Sequence, residues 1–426
     1  MLTSVQINVT IWTKVDQCSK MKKRRYYFVM FKLILFLTLV VVNIVSFICL
    51  CFQGIEWIIC VLKHKDCCHI VTALQKKGIV FGCVLCFLLL FVIVTQLLAF
   101  TPQIEDSNGK KVEGSIADLT KVTLNDHKEW ISIRGVNKDA PILLFLAGGP
   151  GGTQMAAVRY ELEELEKHFV VVNWDQPGSG KSYHCMNRKE ISVQTYIEDG
   201  VALTEYLRER FGKEKIYLMG ESWGSALGVF LINNRPEYYA GFIGTGQMVD
   251  FAETEKLDYQ KAMDIAKENG DEKLIQALLQ QGEAPYYKGN IALLSATYLN
   301  YLSSAMTANP DITNGGYHTF RDMFASEYGV YDSINYMLGV MNTFNVVYPT
   351  LYGTDLRESY TELEVPTYFF IGRHDINAPT ELTEEYFEIL QAPKKELIWF
   401  EHSGHGPWMN ETEKFVQETL RVFQIF

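Results

Sequence analysis

Residues 218–225 read LMGESWGS and connect an apolar run to a helical pattern. Gly220 and Gly224 stand two residues before and after Ser222, which is the spacing of a tight strand-to-helix turn. Such a turn holds a serine hydroxyl above the edge of a sheet, and a side chain at either glycine would collide with the backbone nearby. The stretch therefore predicts a sheet with a helix packed on it, and Ser222 is the candidate nucleophile of the turn.

Short apolar runs before and after this turn predict the other strands of the sheet. They cover residues 128–135, 141–147, 169–175, 215–220, 241–246, 366–372 and 396–402. Several are almost continuously apolar, as expected for parallel strands that are buried on both faces. Helical patterns lie between them at residues 160–169 and 193–212, the second ending in a glycine. The alternation predicts an α/β fold with a mostly parallel central sheet flanked by helices.

The alternation stops in the second half of the chain and then resumes. Residues 248–360 carry helical patterns, tyrosine-rich stretches and glycine turns, and PTYFFIG then restores a strand. Because the chain must return to complete the same sheet, the interruption is predicted to be a helical cap. The sheet-bearing core is predicted to comprise residues 101–247 and 361–426.

The first hundred residues differ in composition from the rest of the chain. Residues 1–27 are basic, and residues 28–52 and 79–100 are long apolar runs with one charge and no charge, respectively. Each run is long enough to cross a hydrocarbon layer of about 30 Å, and neither has the features of a cleaved signal peptide. Residues 28–100 are therefore predicted to form a membrane region with two or three transmembrane segments.

The charge distribution allows two orientations of this anchor. The cluster Lys22–Arg25 favours a cytoplasmic N-terminus, and two simple crossings would return the following domain to the cytoplasm. Four lysines before the second run also favour the cytoplasmic side: Lys63, Lys65, Lys76 and Lys77. Both clusters can be cytoplasmic only if residues 28–62 double back as a hairpin, and the domain would then lie outside.

Charge and cysteine distribution exclude some classes of protein. The chain carries a net charge of −11, with +8 in residues 1–100 and −19 in residues 101–426. So acidic a domain disfavours nucleic acid, whose phosphates require a cationic surface. Eight of the nine cysteines precede residue 87, and Cys185 alone follows, so residues 101–426 contain no disulfide framework.

The stretch WDQPGSGKS, residues 174–182, ends like a phosphate-binding loop. That motif requires a glycine five residues before Gly180, where this chain has Asp175. We therefore expect no nucleotide site here. The stretch is predicted to be a turn at a strand end, in which Asp175 and Ser182 bond to backbone groups around them.

A serine nucleophile requires a base, and the base requires an orienting carboxylate. On a sheet of this kind the chain order is serine, acid, histidine. Asp375 ends the strand in IGRHD, and His405 follows the next strand in WFEHSGHG. The alternatives are weaker, because His402 lies within the predicted strand and His374 points away from its neighbour Asp375, while Glu401 is expected to be a surface group at the strand end.

Acyl transfer also requires hydrogen-bond donors for the developing oxyanion. The turn LAGGPGG, residues 146–152, follows a predicted strand at the position where one donor loop should lie. The backbone N–H groups of Gly149 and Trp223 are the predicted pair.

Together these stretches resemble the proline iminopeptidases, a family within the α/β-hydrolase superfamily. The resemblance spans about residues 120–247 and 361–426. It rests on AGGPG (147–151), DQPGSGKS (175–182), GESWGS (220–225), GRHD (372–375) and SGHG (403–406). It implies an α/β-hydrolase fold with Ser222 as nucleophile, Asp375 as orienting acid and His405 as general base, and with Gly149 and Trp223 as oxyanion donors. No metal or cofactor is expected.

The chain departs from the family pattern at two motif positions, with Ala147 in place of histidine and Pro177 in place of arginine. Aminopeptidases of the family hold the free amino group of the substrate with carboxylates of the cap. Candidates are plentiful here, although charged runs on helices usually face solvent: Asp250, Glu253, Glu255, Asp258, Asp264 and Glu268.

The expected function is that of a membrane-anchored serine hydrolase, specifically an aminopeptidase that releases N-terminal residues, often proline, from short peptides. One alternative is an esterase or lipase acting on acyl esters at the membrane. The other is a non-catalytic binding module on a hydrolase scaffold.

Overall fold

The computed structural model describes residues 2–314 and 316–425, and of residues 2–28 it describes only the backbone. The chain divides into two units. The first comprises Met1–Phe100 with Met323–Ser333, and the second comprises Thr101–Asp322 with Ile334–Phe426.

Two long helices dominate the first unit: α1 (Leu2–Leu62) and α2 (Cys68–Leu97). The Val29–Leu62 part of α1 and the whole of α2 are long and apolar enough to cross a membrane. Most of their apolar side chains are exposed, unlike those of a core helix in a soluble protein. The hairpin considered for residues 28–62 is wrong, because helix α1 runs through this segment without a break.

Two long polar side chains of the first unit donate hydrogen bonds within the unit. The Lys32 ammonium, the one charge in the first apolar run, donates to the carbonyl oxygens of Ala325 (2.8 Å) and Tyr328 (2.7 Å). The Gln96 amide donates to the Asp332 carboxylate at 2.8 Å. These bonds offset the cost of burying Lys32, which is 5% exposed. A disulfide joins Cys60 to Cys67 across the short connection between α1 and α2.

The second unit is built on one eight-stranded sheet with the order β1-β2-β4-β3-β5-β6-β7-β8. The strands are β1 (Ile116–Leu124), β2 (His127–Gly135), β3 (Ile142–Leu146), β4 (Val170–Asp175), β5 (Ile216–Glu221), β6 (Tyr239–Thr245), β7 (Thr367–Gly372) and β8 (Lys395–Phe400). Strands β3 to β8 pair in parallel, and β1 and β2 add an antiparallel edge. The predicted fold class is confirmed.

Strand β1 was not predicted from the sequence. Its sequence IADLTKVTL mixes polar and apolar residues, and most of its side chains are only partly buried. An edge strand of this kind has no continuous apolar run and therefore gives a weak signal.

Helices cover both faces of the sheet and form the insertion before β7. After the first two they are α3 (Met155–Glu161), α4 (Val193–Phe211), α5 (Trp223–Asn234), α6 (Phe251–Asn269), α7 (Glu272–Gln281), α8 (Ile291–Ala308), α9 (Thr319–Met323), α10 (Val330–Leu338), α11 (Phe344–Val347), α12 (Leu356–Ser359), α13 (Thr380–Ile389), α14 (Pro407–Asn410) and α15 (Thr412–Phe423). Helices α6 to α12 lie in the segment predicted as the cap.

The two helix predictions fared differently. Helix α4 matches residues 193–212, with a capping box between Ser192 and Thr195 and with Gly212 in the left-handed conformation at its end. Residues 160–169 were wrong as a single helix, because α3 ends at Glu161 and a 3₁₀ turn follows at Glu163–Lys167. A 3₁₀ turn aligns side chains three residues apart, which buries both Leu162 and Leu165.

Neighbouring residues on each central strand enter different apolar layers. Leu144 and Leu218 belong to the layer that contains residues of α4 and α5. Leu143 and Met219 belong to the layer that contains residues of α3 and α15. Because both faces are covered, the free edge formed by the carboxyl ends of the parallel strands is where loops can present side chains.

Candidate active site

Ser222 lies in a strained turn between β5 and α5. Its φ of 54° and ψ of −125° are unusual for a residue with a side chain. Its N–H donates to the carbonyl of Thr245 at the end of β6 (3.0 Å). A Cβ at Gly220 would collide with the Gly224 carbonyl, and a Cβ at Gly224 with that of Leu146. The predicted need for both glycines is confirmed.

The glycine-rich turn after β3 lies against Ser222. A Cβ built on Gly148 would be 3.2 Å from the Cβ of Ser222. Gly149 follows with a φ of 137°. Trp223 is the first residue of α5, so its N–H has no partner within the helix. Both predicted donor residues therefore lie in backbone next to Ser222.

Asp375 and His405 come together in the loops after β7 and β8. His405 Nδ1 lies 3.0 Å from Asp375 Oδ2 and 3.2 Å from Oδ1. Asp375 Oδ1 also accepts the N–H groups of Asn377 (2.9 Å) and Ala378 (3.0 Å), which fix the carboxylate. Both side chains are buried. The carboxylate therefore orients the ring and leaves Nε2 for another partner.

His405 also lies beside the loop that follows β6. A Cβ on Gly246 would be 2.8 Å from His405 Cε1, and Gly246 follows Thr245, whose carbonyl binds the Ser222 N–H. Only glycine fits there without displacing the ring. The predicted serine, acid and histidine thus lie at the carboxyl ends of β5, β7 and β8.

The alternative residues have other partners. Strand β8 ends at Phe400, so His402 lies in a turn and not within the strand as predicted. Its Nδ1 lies 3.1 Å from the Asp311 carbonyl. Glu401 forms an exposed ion pair with Arg373 at 2.9 Å, as expected for a surface group.

The 174–182 stretch is the turn that the sequence predicts. Asp175 Oδ2 accepts the Lys181 N–H at 2.7 Å, and Ser182 Oγ accepts the Trp130 N–H at 2.8 Å. The Asp175 carboxylate thus already accepts a backbone N–H of the loop that a bound phosphate would need.

A buried carboxylate next to Ser222 was missed from the sequence. Glu221 is fully buried and accepts hydrogen bonds from Tyr317 Oη (2.5 Å) and Trp408 Nε1 (2.8 Å), as well as from the Gln154 amide. Burial raises the pKa of Glu221 above its ordinary range. The residue was visible in GESWGS, but its partners come from distant segments.

Two cap carboxylates are buried, contrary to the expectation that such charges face solvent. Glu255 on α6 accepts bonds from Ser295 (2.9 Å) and Tyr348 (3.1 Å), and also from Tyr298. Asp258, one turn further, is 1% exposed, and neither of its oxygens has a hydrogen-bond partner in the part of the chain that is described. Burial, with the charges of Glu255, Asp375 and Glu381, raises the pKa of Asp258 well above its ordinary value.

The other candidate carboxylates of the cap behave as expected or serve the structure. Asp264 and Glu268 are exposed. Asp250 caps α6 by accepting the N–H groups of Ala252 and Glu253, and Glu253 pairs with Arg357 at 2.5 Å. These four are therefore poor candidates for binding a substrate.

The charges around His405 set its basicity. Burial alone would lower its pKa, but the charge and hydrogen bond of Asp375, with the charge of Glu221, raise the pKa of His405 to about 9. A histidine in these surroundings holds a proton strongly.

Comparisons with known proteins agree with this architecture. Residues 141–412 match the α/β-hydrolase fold family, and the chain belongs to that family. It is 31% identical over 317 residues to the probable aminopeptidase YbaC of Bacillus subtilis, covering 72% of this chain and 96% of that protein.

More distant relatives carry the family name that the motifs indicated. The chain is 23% identical to the proline iminopeptidase of Heyndrickxia coagulans, covering 64% of this chain and 87% of the relative. The crystal structure of the proline iminopeptidase of Mycobacterium smegmatis shares the fold, with 16% identity, a TM-score of 0.51 and coverage of 72% of this chain and 98% of that one. The resemblance to proline iminopeptidases is confirmed.

Proposed function

We propose that this protein is a serine hydrolase with the triad Ser222, His405 and Asp375. The observation that carries the proposal is the pairing of His405 with Asp375 beside the loop that holds Ser222 in its strained turn. In the reaction, Ser222 Oγ attacks a carbonyl carbon while His405 Nε2 accepts its proton. Asp375 keeps the ring oriented and stabilises the imidazolium that forms.

The remaining steps follow from the same groups. The N–H groups of Gly149 and Trp223 stabilise the oxyanion, each by about 3 kcal/mol in systems of this type. His405 then gives its proton to the leaving amine or alcohol, and an acyl group stays on Ser222. Water, activated by His405, releases the acid product and restores the hydroxyl. The residues named here need no cofactor for this chemistry.

We infer further that the substrate is a short peptide with a free amino terminus. The names of the relatives support an aminopeptidase, and the buried carboxylate of Asp258 offers a partner for an ammonium group. The ammonium group of a bound substrate would place a positive charge beside the Asp258 carboxyl group and would favour the ionised form of Asp258. Proline is the proposed first residue because of the motif resemblance.

The first prediction tests this specificity with three substrates on the full chain in detergent micelles. A proline arylamide should be cleaved, and N-acetylproline arylamide should be cleaved at least about tenfold more slowly, because a charged hydrogen bond contributes ~1.5–3 kcal/mol. The third substrate is a medium-chain nitrophenyl ester. The measurement is kcat/KM for each substrate.

Asp258→Asn should lower kcat/KM for the free-amine substrate by about 10–100-fold and leave the ester unchanged. Exposed Asp264→Asn on the same helix is the matched control and should change neither. Equal losses on the amide and the ester would contradict amine recognition by Asp258 without affecting the proposed triad. Hydrolysis of the ester without hydrolysis of the proline arylamide would contradict the proposed aminopeptidase activity.

The second prediction concerns pH. Because His405 must be neutral to accept a proton, kcat/KM should increase as pH rises through the pKa of His405, with its inflection between pH 6.5 and about 9. Glu221→Gln removes a negative charge that raises this pKa, so the inflection should move to lower pH. A profile that falls between pH 7 and 9 in the wild type would contradict His405 as the base.

Hydrolysis of acyl esters at a membrane is a second candidate. Helix α10 exposes Tyr331, Ile334 and Met337, each by about 45% of its surface. Exposed apolar side chains at helical spacing are typical of surfaces that contact lipid. This candidate predicts ester turnover that increases with acyl-chain length.

We also propose that α1 and α2 anchor the protein in a membrane. Val29–Leu62 and Cys68–Leu97 are apolar and barely buried, which supports contact with lipid. Two continuous crossings would return the hydrolase unit to the side of the N-terminus, which the basic residues Lys22–Arg25 favour as cytoplasmic.

A further inference from the structure

A second group of chemically competent side chains lies outside the proposed triad. It comprises His127 and Glu129 on β2 and Asp199 on α4, and one ligand atom from each lies within 4.8 Å of the others. His127 Nε2 is 2.8 Å from Asp199 Oδ2 and 3.2 Å from Glu129 Oε1. We call this group the hairpin cluster, since it begins at the turn between β1 and β2.

Local structure brings the three groups together. His127 and Glu129 are two residues apart on a strand and therefore point to the same face. Asn125, in the left-handed conformation at φ 49°, forms the turn before β2, and its amide donates to Asp199 Oδ1 at 2.6 Å. Trp174 Nε1 donates to Glu129 Oε2 at 2.6 Å. The second oxygen of each carboxylate remains directed at His127.

One of these two oxygens lacks a hydrogen bond. Glu129 is completely buried, and its Oε1 accepts no well-oriented hydrogen bond among the described residues: His127 Nε2 pairs with it at 3.2 Å but lies nearer to Asp199 Oδ2, at 2.8 Å. Asp199 is 1% exposed. A buried carboxylate oxygen without a donor is costly unless a cation or proton occupies the position beside it.

The distances also fit a metal ion. With bonds of 2.0–2.1 Å, adjacent ligands lie about 2.9 Å apart at 90° and about 3.4 Å apart at tetrahedral angles. The two separations from His127 Nε2, 2.8 and 3.2 Å, are close to these values. One imidazole with two carboxylates is a ligand set for transition metals, whereas Ca²⁺ and Mg²⁺ prefer oxygen alone.

We propose that the hairpin cluster binds one divalent transition-metal ion through His127, Glu129 and Asp199. The His127 side chain is 15% exposed, which leaves a path by which water completes the coordination. The ion would link β2 to α4 and hold the antiparallel edge of the sheet on its helix. None of the three ligands belongs to the proposed triad, so the site is structural and hydrolysis does not pass through it.

The test uses the full chain in detergent, without a polyhistidine tag, after EDTA treatment and desalting. Titration with Zn²⁺ followed by calorimetry should show one equivalent bound per chain and a raised Tm. His127→Gln and Asp199→Asn should each weaken binding at least about tenfold. His402→Gln removes an exposed histidine elsewhere and should leave the titration unchanged.

Three results would overturn the proposal. The first is the absence of a saturable equivalent in the wild type. The second is binding that neither substitution weakens, or that His402→Gln weakens equally. The third is read from unaltered protein loaded with Co²⁺, where a strong thiolate charge-transfer band would place the ion on the free cysteines instead. Because the wild-type titration and spectrum need no variant, the proposal stays testable if a substitution prevents folding.

Discussion

Ser222→Ala is expected to lower kcat by about 10⁴–10⁶-fold on whichever substrate the protein hydrolyses. Removal of a serine nucleophile leaves only binding and oxyanion stabilisation, which retain a small residual rate. Because the turn geometry is set by Gly220, Gly224 and the bond from Ser222 N to Thr245, alanine should keep the fold. The measurement is kcat with Tm as a check on folding.

A fluorophosphonate probe makes the same comparison without knowledge of the substrate. The wild type should be labelled at Ser222, and Ser222→Ala should not. Ser132→Ala is a suitable control, since Ser132 is buried and its hydroxyl has no hydrogen-bond partner in the described chain. An unlabelled wild type that is folded and inert would contradict catalysis and favour a binding module.

Asp375→Asn is expected to lower kcat by about 10⁴-fold with a smaller change in KM. The carboxylate fixes the His405 tautomer through bonds of 3.0 and 3.2 Å, and an amide there favours the wrong tautomer. Since Asp375 also raises the pKa of His405, any residual activity should show its inflection at lower pH.

Two substitutions at the rival positions provide matched controls. Glu401→Gln breaks only an exposed ion pair with Arg373, and His402→Gln removes a ring that contacts the Asp311 carbonyl. Both variants should keep nearly full activity, because neither residue belongs to the proposed triad. The ion pair of Glu401 is exposed, and such pairs contribute little to stability. A loss in either comparable to that of Asp375→Asn would contradict the proposed triad.

Much of the sheet was predictable because its strands are buried on both faces. Continuous apolar runs such as VVVNWD and IYLMGE mark β4 and β5 without reference to the rest of the chain. Strand β1 was missed because an edge strand is only half buried, and the 3₁₀ turn at Glu163–Lys167 was missed because its helical pattern extends that of α3. Both misses occur where packing against neighbours decides the local conformation.

The candidate nucleophile, acid and base were each recognisable from a few adjacent residues. Ser222 is marked by flanking glycines, and Asp375 and His405 by their positions after two strands. Local sequence has this power because a strand end followed by a turn places a side chain at the same edge of any parallel sheet. The sequence alone thereby determined the fold class and nominated the residues of the site.

Only the tertiary structure decided which charges are buried and what faces them. Nothing along the chain distinguishes three sets of residues from ordinary polar residues: Glu221, Asp258 and the hairpin cluster. Their surroundings, including the hydrogen-bond partners that they have or lack, come from segments far apart in sequence. The physical reason is that desolvation and pairing depend on the surroundings in three dimensions, whereas strand and turn formation depend largely on neighbours in sequence.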